Sequence, residues 1–194
     1  MKKTIKLDKL VGVKSGSPQF RIIETDKVDA PCYTFYNQFD LADDLAGIGS
    51  RSSDQTEKVV RTFDNLVVLN EGDLVFSLIS ASGAFVSEEN AGKVCTQNYI
   101  VLEPGHKIDK SYLLYIINES QDIKRQLMIG LQGSKVLKYS QKQVKDLEIR
   151  ELPSIERQKI IGQVYVKQKK LSALRARVAS SQEKLVLGEL SKVK

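Results

Sequence analysis

Histidine occurs once in this chain of 194 residues, at position 106, and cysteine only twice, at positions 32 and 95. No Ser-His-Asp or Cys-His arrangement can be built without His106, which follows Pro104-Gly105 in a turn-like setting that does not suit catalysis. Two thiols are too few for a disulfide framework or a four-ligand zinc site; both read as small buried hydrophobes, and a reducing cytoplasm suits them. Long apolar runs are also missing. The longest, such as 113–117, fall far short of the roughly 20 residues that span a bilayer, so no membrane helix is expected. At the N-terminus, Lys6, Asp8 and Lys9 interrupt the place where the apolar region of a secretion signal would lie. Neither a GxxxxGK[ST] phosphate loop nor a strand-linked GxGxxG is present. The nearest imitation of a metal-dependent nuclease, Asp109 with Asp122 and Lys124, falls on one predicted helix and reads as a cap and surface charge. No catalytic residue, metal or cofactor is expected, and the chain reads as a recognition protein, not an enzyme.

Charge is present in excess but unevenly. Thirty Lys and Arg against 24 acids give net +6 and a sequence pI of about 9.2, which admits a polyanionic partner. Residues 1–21 carry net +5, residues 22–153 net −6 and residues 154–194 net +7. An acidic body with basic ends cannot be wrapped by a polyanion indiscriminately, so a nucleic-acid surface has to be a local patch. One stretch qualifies. Residues 123–145 hold Lys124, Arg125, Lys135, Lys138, Lys142 and Lys145 and no acid. The same charges also fit an ordinary solvated face of a helix and loop.

Up to about residue 105 the pattern is of short β-rich segments, 20–24, 32–36, 66–69, 73–79, 83–86 and 98–102, bounded by Gly, Asn, Asp and Ser. Asn70-Glu71-Gly72-Asp73 and Ala81-Ser82-Gly83 read as turns. The polar stretch 39–64, with Gly47, Gly49 and Ser50-Arg51-Ser52-Ser53, reads as a long recognition loop. Beyond Pro104-Gly105 the period changes. Asp109 or Ser111 can cap one helix with apolar positions Leu113, Leu114, Ile116, Ile117, Ile123, Leu127 and Met128, ending at Gly130. A flexible loop then carries the basic patch. Ser140 with Gln143 forms a capping box for a short helix, 147–149 reads as a closing strand, and the domain ends near Pro153.

From 155 to about 190 there is no proline and glycine only at 162 and 188, so a long helix is available. With Val164 at heptad position a, one series reads Val164, Leu171, Val178, Leu185, and the d series reads Ile160, Lys167, Leu174, Ser181, Gly188. Roughly 33 helical residues reach about 50 Å, longer than the preceding domain is wide. The helix is therefore expected to project and find a partner, the alternative being that it folds back onto its own domain.

Taken in order, five segments resemble the specificity (S) subunits of type I restriction-modification systems: LNEGDLVFSLISASGAFV (69–86), TQNYIVLEP (96–104), DKSYLLYIIN (109–118), GLQGSKVLKYSQKQVKDLEI (130–149) and LPSIERQKIIGQV (152–164). In the last, Arg157 stands where that family commonly has Glu. The resemblance covers essentially the whole chain and implies an α+β fold, with a β-rich target-recognition domain (1–153) bearing short helices. One long C-terminal spacer and dimerisation helix (154–194) then pairs as an antiparallel coiled coil. Family members carry two such domains and two helices, which makes this chain a half subunit expected to pair isologously as a homodimer. Two identical domains would read a bipartite site on double-stranded DNA. The implied role is noncatalytic and cytoplasmic, directing a modification (methyltransferase) subunit, which holds the S-adenosylmethionine chemistry, and through it a restriction subunit. A rival reading is a regulatory protein that binds the modification subunit through its helix without productive DNA recognition.

The physical parts can be assigned. Phosphate contacts are expected from Lys135, Lys138, Lys124, Arg125 and Lys142. Base contacts are expected from Arg51, Ser52, Ser53, Gln55 and Gln132. Tyr139 stacks, meets phosphate or sits in the core. Ile160, Val164, Leu171, Leu174, Val178 and Leu185 form the dimerisation seam. Lys169, Lys170, Arg175 and Arg177 are left to face the modification subunit.

Overall fold

The computed structural model describes residues 4–49, 58–130 and 138–192. In chain order the elements are β1 (Ile5–Lys6), β2 (Val11–Ser15), β3 (Cys32–Thr34), α1 (Gln38–Ala46), β4 (Val59–Arg61), β5 (Leu74–Ser77), β6 (Gly83–Phe85), β7 (Tyr99–Pro104), α2 (Lys110–Glu119), α3 (Gln121–Gly130), α4 (Gln141–Lys145), β8 (Glu148–Ile149) and α5 (Ile155–Leu190). Four strands form a central antiparallel sheet in the order β2-β7-β5-β6, and two small ribbons pair β1 with β8 and β3 with β4. The fold is α+β, with one long C-terminal helix. No described helix is long and apolar enough to cross a membrane.

Strand alternation divides the interior in two. Leu74 and Phe76 of β5 register with Leu102 and Ile100 of β7 and point to one face, where Leu113, Leu114 and Ile117 of α2 and Ile123 and Leu127 of α3 cover them. Val75 and Val101 point to the other face, under Leu41 of α1 with Tyr36, Leu69 and Cys95. Both faces are covered, which explains why β5 and β7 read as nearly unbroken apolar runs. The turn into β6 needs Ala81 at φ 54, where Ala81 N–H donates to the Ser77 carbonyl. The buried Asn118 side chain accepts from Gly83 N–H (2.8 Å) and donates to Gly83 C=O (3.0 Å), riveting α2 to the edge strand.

Local structure departs from the sequence reading in several places. No strand forms over 20–24: Gln19–Arg21 is a 3-10 turn. Residues 66–69 contribute only an isolated bridge, Val68 to Val94. The stretch expected to be loop from 39 begins as helix α1, because Asn37 and Asp40 form a reciprocal capping box and Gly47 ends the helix at φ 64. Its three aspartates hid it. Asp40 pairs with Lys93 at 2.8 Å, and Asp44 accepts from Tyr36 OH, Asn90 and the Ser87 amide, so two of them are buried and satisfied. The single helix expected from 109 to 130 is two, broken at Ser120, whose extended backbone turns α3 back across the sheet. Met128 consequently lies exposed, while Ile123 and Leu127 are buried. Cys95 is buried, and burial pushes its thiol pKa up to about 12, but Cys32 is exposed on the β3-β4 ribbon, contrary to expectation.

The long helix both docks and projects. Gln158, almost fully buried at its entry, accepts from Asp109 N–H (2.9 Å) and donates to the carbonyls of Pro153 and Lys107. At Gly162 the helix touches the backbone of α2 at Ser111 and Tyr112, where a Cβ would overlap main-chain atoms. One turn on, Tyr165 OH donates to Glu119 at 3.0 Å, and Lys169 pairs with the same carboxylate at 2.9 Å. Arg177 reaches the carbonyls of Ile48 and Gly49 at the end of α1. The expectation of a helix standing clear of its domain is therefore corrected. Positions 158, 162, 165, 169 and 177 form one stripe at helical spacing that lies on the domain.

Candidate nucleic-acid interface

The opposite stripe of α5 remains uncovered. Ile160, Val164, Leu171, Leu174, Val178 and Leu185 are 41–70% exposed, although each is a large aliphatic side chain. Stepping 100° per residue sets this seam roughly opposite the docked stripe. The helix thus has one stripe docked on the domain and an aliphatic stripe that is exposed.

The residues expected to touch DNA are only partly within view. Arg51, Ser52, Ser53, Gln55, Gln132 and Lys135 lie outside the described residues. Lys124 stands 3.8 Å from Glu119, and Arg125 stands 3.9 Å from Asp122, so the two acids that just precede the acid-free run offset its first two cations. Lys142 is exposed on α4 and, among the described residues, has no ion-pair partner. Tyr139 packs partly against the core below α2, and its backbone N–H donates to the Leu78 carbonyl. That contact ties the later part of the 123–145 basic run to the β5-β6 turn. Lys138, next to it, donates to Asn98 Oδ1 at 2.8 Å.

Between these pieces lies a cleft of about 350 Å³, lined by Gln19, Asn37, Gln38, Lys58, Ile79 and Asn98 over a floor of Phe35, Tyr36, Thr96 and Tyr99. No carboxylate is among the described residues that line it. Lys58 and Lys138, the first described residues after 50–57 and 131–137, flank it. The floor is rigid: Tyr36 and Tyr99 are buried and pack edge to face with centroids 5.3 Å apart. Burial, with the Asp44 and Asp40 charges, raises the Tyr36 pKa, and burial raises that of Tyr99, so both hydroxyls keep their protons. Gln38 Nε2 donates to Ser77 Oγ (2.9 Å) and to Tyr99 OH (2.7 Å). Sequence reading missed this cleft, since its carboxamides come from three separated segments, at 19, 37–38 and 98.

Comparison with known proteins gives the same answer at the level of family and fold. The family model described as type I restriction modification DNA specificity domain matches residues 22–166. Among solved structures, the HsdS subunit of Thermoanaerobacter tengcongensis aligns with TM-score 0.55 and 16% identity, over 90% of this chain and 39% of that one. A chain from work on complex assembly and conformational transition of the type I R-M system aligns with TM-score 0.61 and 16% identity, over 97% of this chain and 43% of its own length. The type I restriction-modification S subunit of M. genitalium aligns with TM-score 0.51 and 15% identity, over 97% and 44%. The chain therefore spans about two fifths of the length of the solved chains it matches. No curated protein matches it.

Proposed function

From the premise that the chain belongs to the type I restriction modification DNA specificity domain family, we propose that it is a DNA-recognition subunit of such a system, noncatalytic and cytoplasmic. Residues 1–153 recognise one part of a bipartite duplex site. Residues 154–194 space and pair two such domains. The observation that carries this arrangement is the double-sided α5: one stripe is sealed to the domain by Gln158, Gly162 and Arg177, and the other exposes six aliphatic side chains. A second copy whose helix runs antiparallel buries both seams at once, each fully buried Leu or Val contributing about 1.5–3 kcal/mol. Docking of α5 on its own domain holds the two recognition surfaces at a set separation, which a flexible linker would not do.

Phosphates are met by Lys135, Lys138 and Lys142, with Lys124 and Arg125 weakened by their acidic neighbours. Base contacts come from Arg51, Ser52, Ser53, Gln55 and Gln132, and the complex includes a modification subunit and, through it, a restriction subunit. The test is gel-shift binding of duplex DNA by the full chain with its modification subunit, across a salt series. The expected result is a sequence preference that persists as nonspecific binding fades with salt. A complex without sequence preference at any salt concentration would favour instead a regulatory protein acting through α5.

A further inference from the structure

We propose that Lys167, Lys170 and Lys184 of α5, joined by the same three residues of a second copy, form a basic strip on the phosphates of the DNA between the two halves of the bipartite site; this rests on the DNA-recognition reading above. From Arg157 to Gln182 the helix carries seven Lys and Arg and no acid. Two of the seven are committed within the chain, Lys169 to Glu119 and Arg177 to the carbonyls of Ile48 and Gly49. Lys159 lines an open groove with Asp73, Glu103 and Asp109, whose charges offset it. Lys167, Lys170 and, beyond the run, Lys184 are exposed and have no ion-pair partner among the described residues. Glu183 directly precedes Lys184, but adjacent residues on a helix do not face each other. Stepping about 100° per residue puts Lys170 and Lys184 on the same flank as Arg177, about 80–120° from the centre of the aliphatic seam. Lys167 stands at the near edge of the seam, where its stem covers apolar surface and its ammonium reaches out to that flank. The opposite flank mixes Arg157 and Arg175 with Ile161, Ala179, Val186 and Leu190.

Symmetry limits where the duplex lies. Two helices that pair antiparallel through one seam are related by a two-fold axis perpendicular to the plane containing both, so a given flank emerges on the same face of the pair from either copy. An inverted-repeat site has its own dyad perpendicular to the duplex, and the two axes coincide. The duplex therefore lies over one of only two faces of the helix pair. The face with Lys170 gathers the three exposed lysines of each copy. Arg177, on the same flank, holds the chain at Gly49, just before the segment with the expected base-reading side chains. The last turn of α1 reaches this flank as well, since Asp44, Leu45 and Gly47 share a cavity of about 200 Å³ with Val166, Lys169 and Lys170. A pair that covers the seam from Ile160 to Leu185 is centred between Leu171 and Leu174, so its two Lys184 stand about 35 Å apart along the helices, close to one turn of B-DNA. The sequence reading left Lys170 to the modification subunit; its flank assigns it to DNA.

Selection of a bipartite motif from a random duplex pool by the full chain with its modification subunit, followed by salt-titrated binding of that duplex, tests the assignment. Lys170→Ala with Lys184→Ala removes four cations from a pair and should lower the slope of log affinity against log salt by about 3–4, with the selected motif and the mass of the complex unchanged. Arg157→Ala with Arg175→Ala, on the opposite flank, should leave the slope as it is. Methylphosphonates in the spacer, which remove the phosphate charges there, should weaken binding by the unaltered protein about tenfold and by the lysine variant less than about twofold. Equal slopes for the unaltered protein and the lysine variant overturn the strip and leave DNA recognition standing. Equal losses in the lysine and arginine variants also overturn it, by showing a diffuse field in place of one face. Release of the modification subunit by the lysine variant overturns it too, by showing a protein-docking surface. Selection of no motif by the unaltered protein removes both readings.

Discussion

Arg177 Nη2 donates to the carbonyl oxygen of Gly49 at 2.6 Å and to that of Ile48 at 3.1 Å, 22 residues into the long helix. Both carbonyls lie just past the left-handed Gly47 that ends α1. The guanidinium ties α5 to the last residues before 50–57, the segment with the expected base-reading side chains.

Arg177→Ala removes charge-assisted bonds worth about 1.5–3 kcal/mol when buried, and about 1 kcal/mol at this half-exposed site. Amide exchange in the last turn of α1 should accelerate about fivefold, with β5 unchanged. Hydrogen exchange read by mass spectrometry checks this, and equal acceleration in both elements would count against a local tie.

Gly162→Val should pry α5 from α2. Overpacking at such a contact costs about 1–3 kcal/mol, because the obstructing atoms are the main chain of Ser111 and Tyr112 and cannot rotate away. Thermal melting should show a lowered midpoint. Gly188→Val, where a Cβ meets nothing within 4 Å, should leave that midpoint unmoved.

Leu171→Glu with Leu174→Glu should convert a dimer to a monomer by light scattering while leaving the monomer folded, since both side chains are about 40% exposed and face away from the domain. An unchanged mass would show that the exposed stripe serves a different partner.

Lys142→Ala should weaken binding to all duplexes alike and reduce the slope of log affinity against log salt by about 1, the signature of one lost phosphate contact. Salt-titrated binding to specific and random duplexes separates this from base reading, which would affect one sequence only.

Glu119 gives the pH prediction. Burial pushes its carboxyl pKa up, but hydrogen bonds from Lys169 and Tyr165, with the Lys169 and Lys124 charges, outweigh burial and hold it below its ordinary 4.5. A carboxyl depressed in the folded state stabilises the protein above its unfolded pKa and loses that contribution as pH falls through the folded value. Denaturant titrations should therefore show wild type and Glu119→Gln converging in stability as pH drops from about 5 to 3. Curves that remain parallel would mean that Glu119 does not fasten α5.

Much of the frame was legible because it depends on local chemistry. The Asn70–Asp73 turn, the Ser140–Gln143 capping box and the proline-free run to residue 190 all speak through neighbouring residues. Helix α1 was not legible, because its buried face carries Asp40 and Asp44, whose partners Lys93, Tyr36 and Asn90 lie far away or behind in the chain. The break at Ser120 was hidden because helical periodicity runs through it, although Ser120 carries a local signal: its Oγ accepts from Ile123 N–H at 3.4 Å, as an N-cap of α3 does.

What the sequence determined by itself was a strand-rich part followed by helices, the apolar seam of the last helix and the resemblance in five ordered segments. What tertiary structure alone decided was which distant residues share a surface. The acids beside the 123–145 run, Glu119 and Asp122, stand only five and three positions before the Lys124 and Arg125 that they face. Conversely Gln38 meets Ser77 and Tyr99, residues 39 and 61 positions away, because antiparallel pairing of β5 and β7 sets Ser77 opposite Tyr99 and α1 packs on that face of the sheet. Periodicity reports what a residue's neighbours along the chain require; a recognition surface is assembled from residues whose proximity only the folded sheet creates.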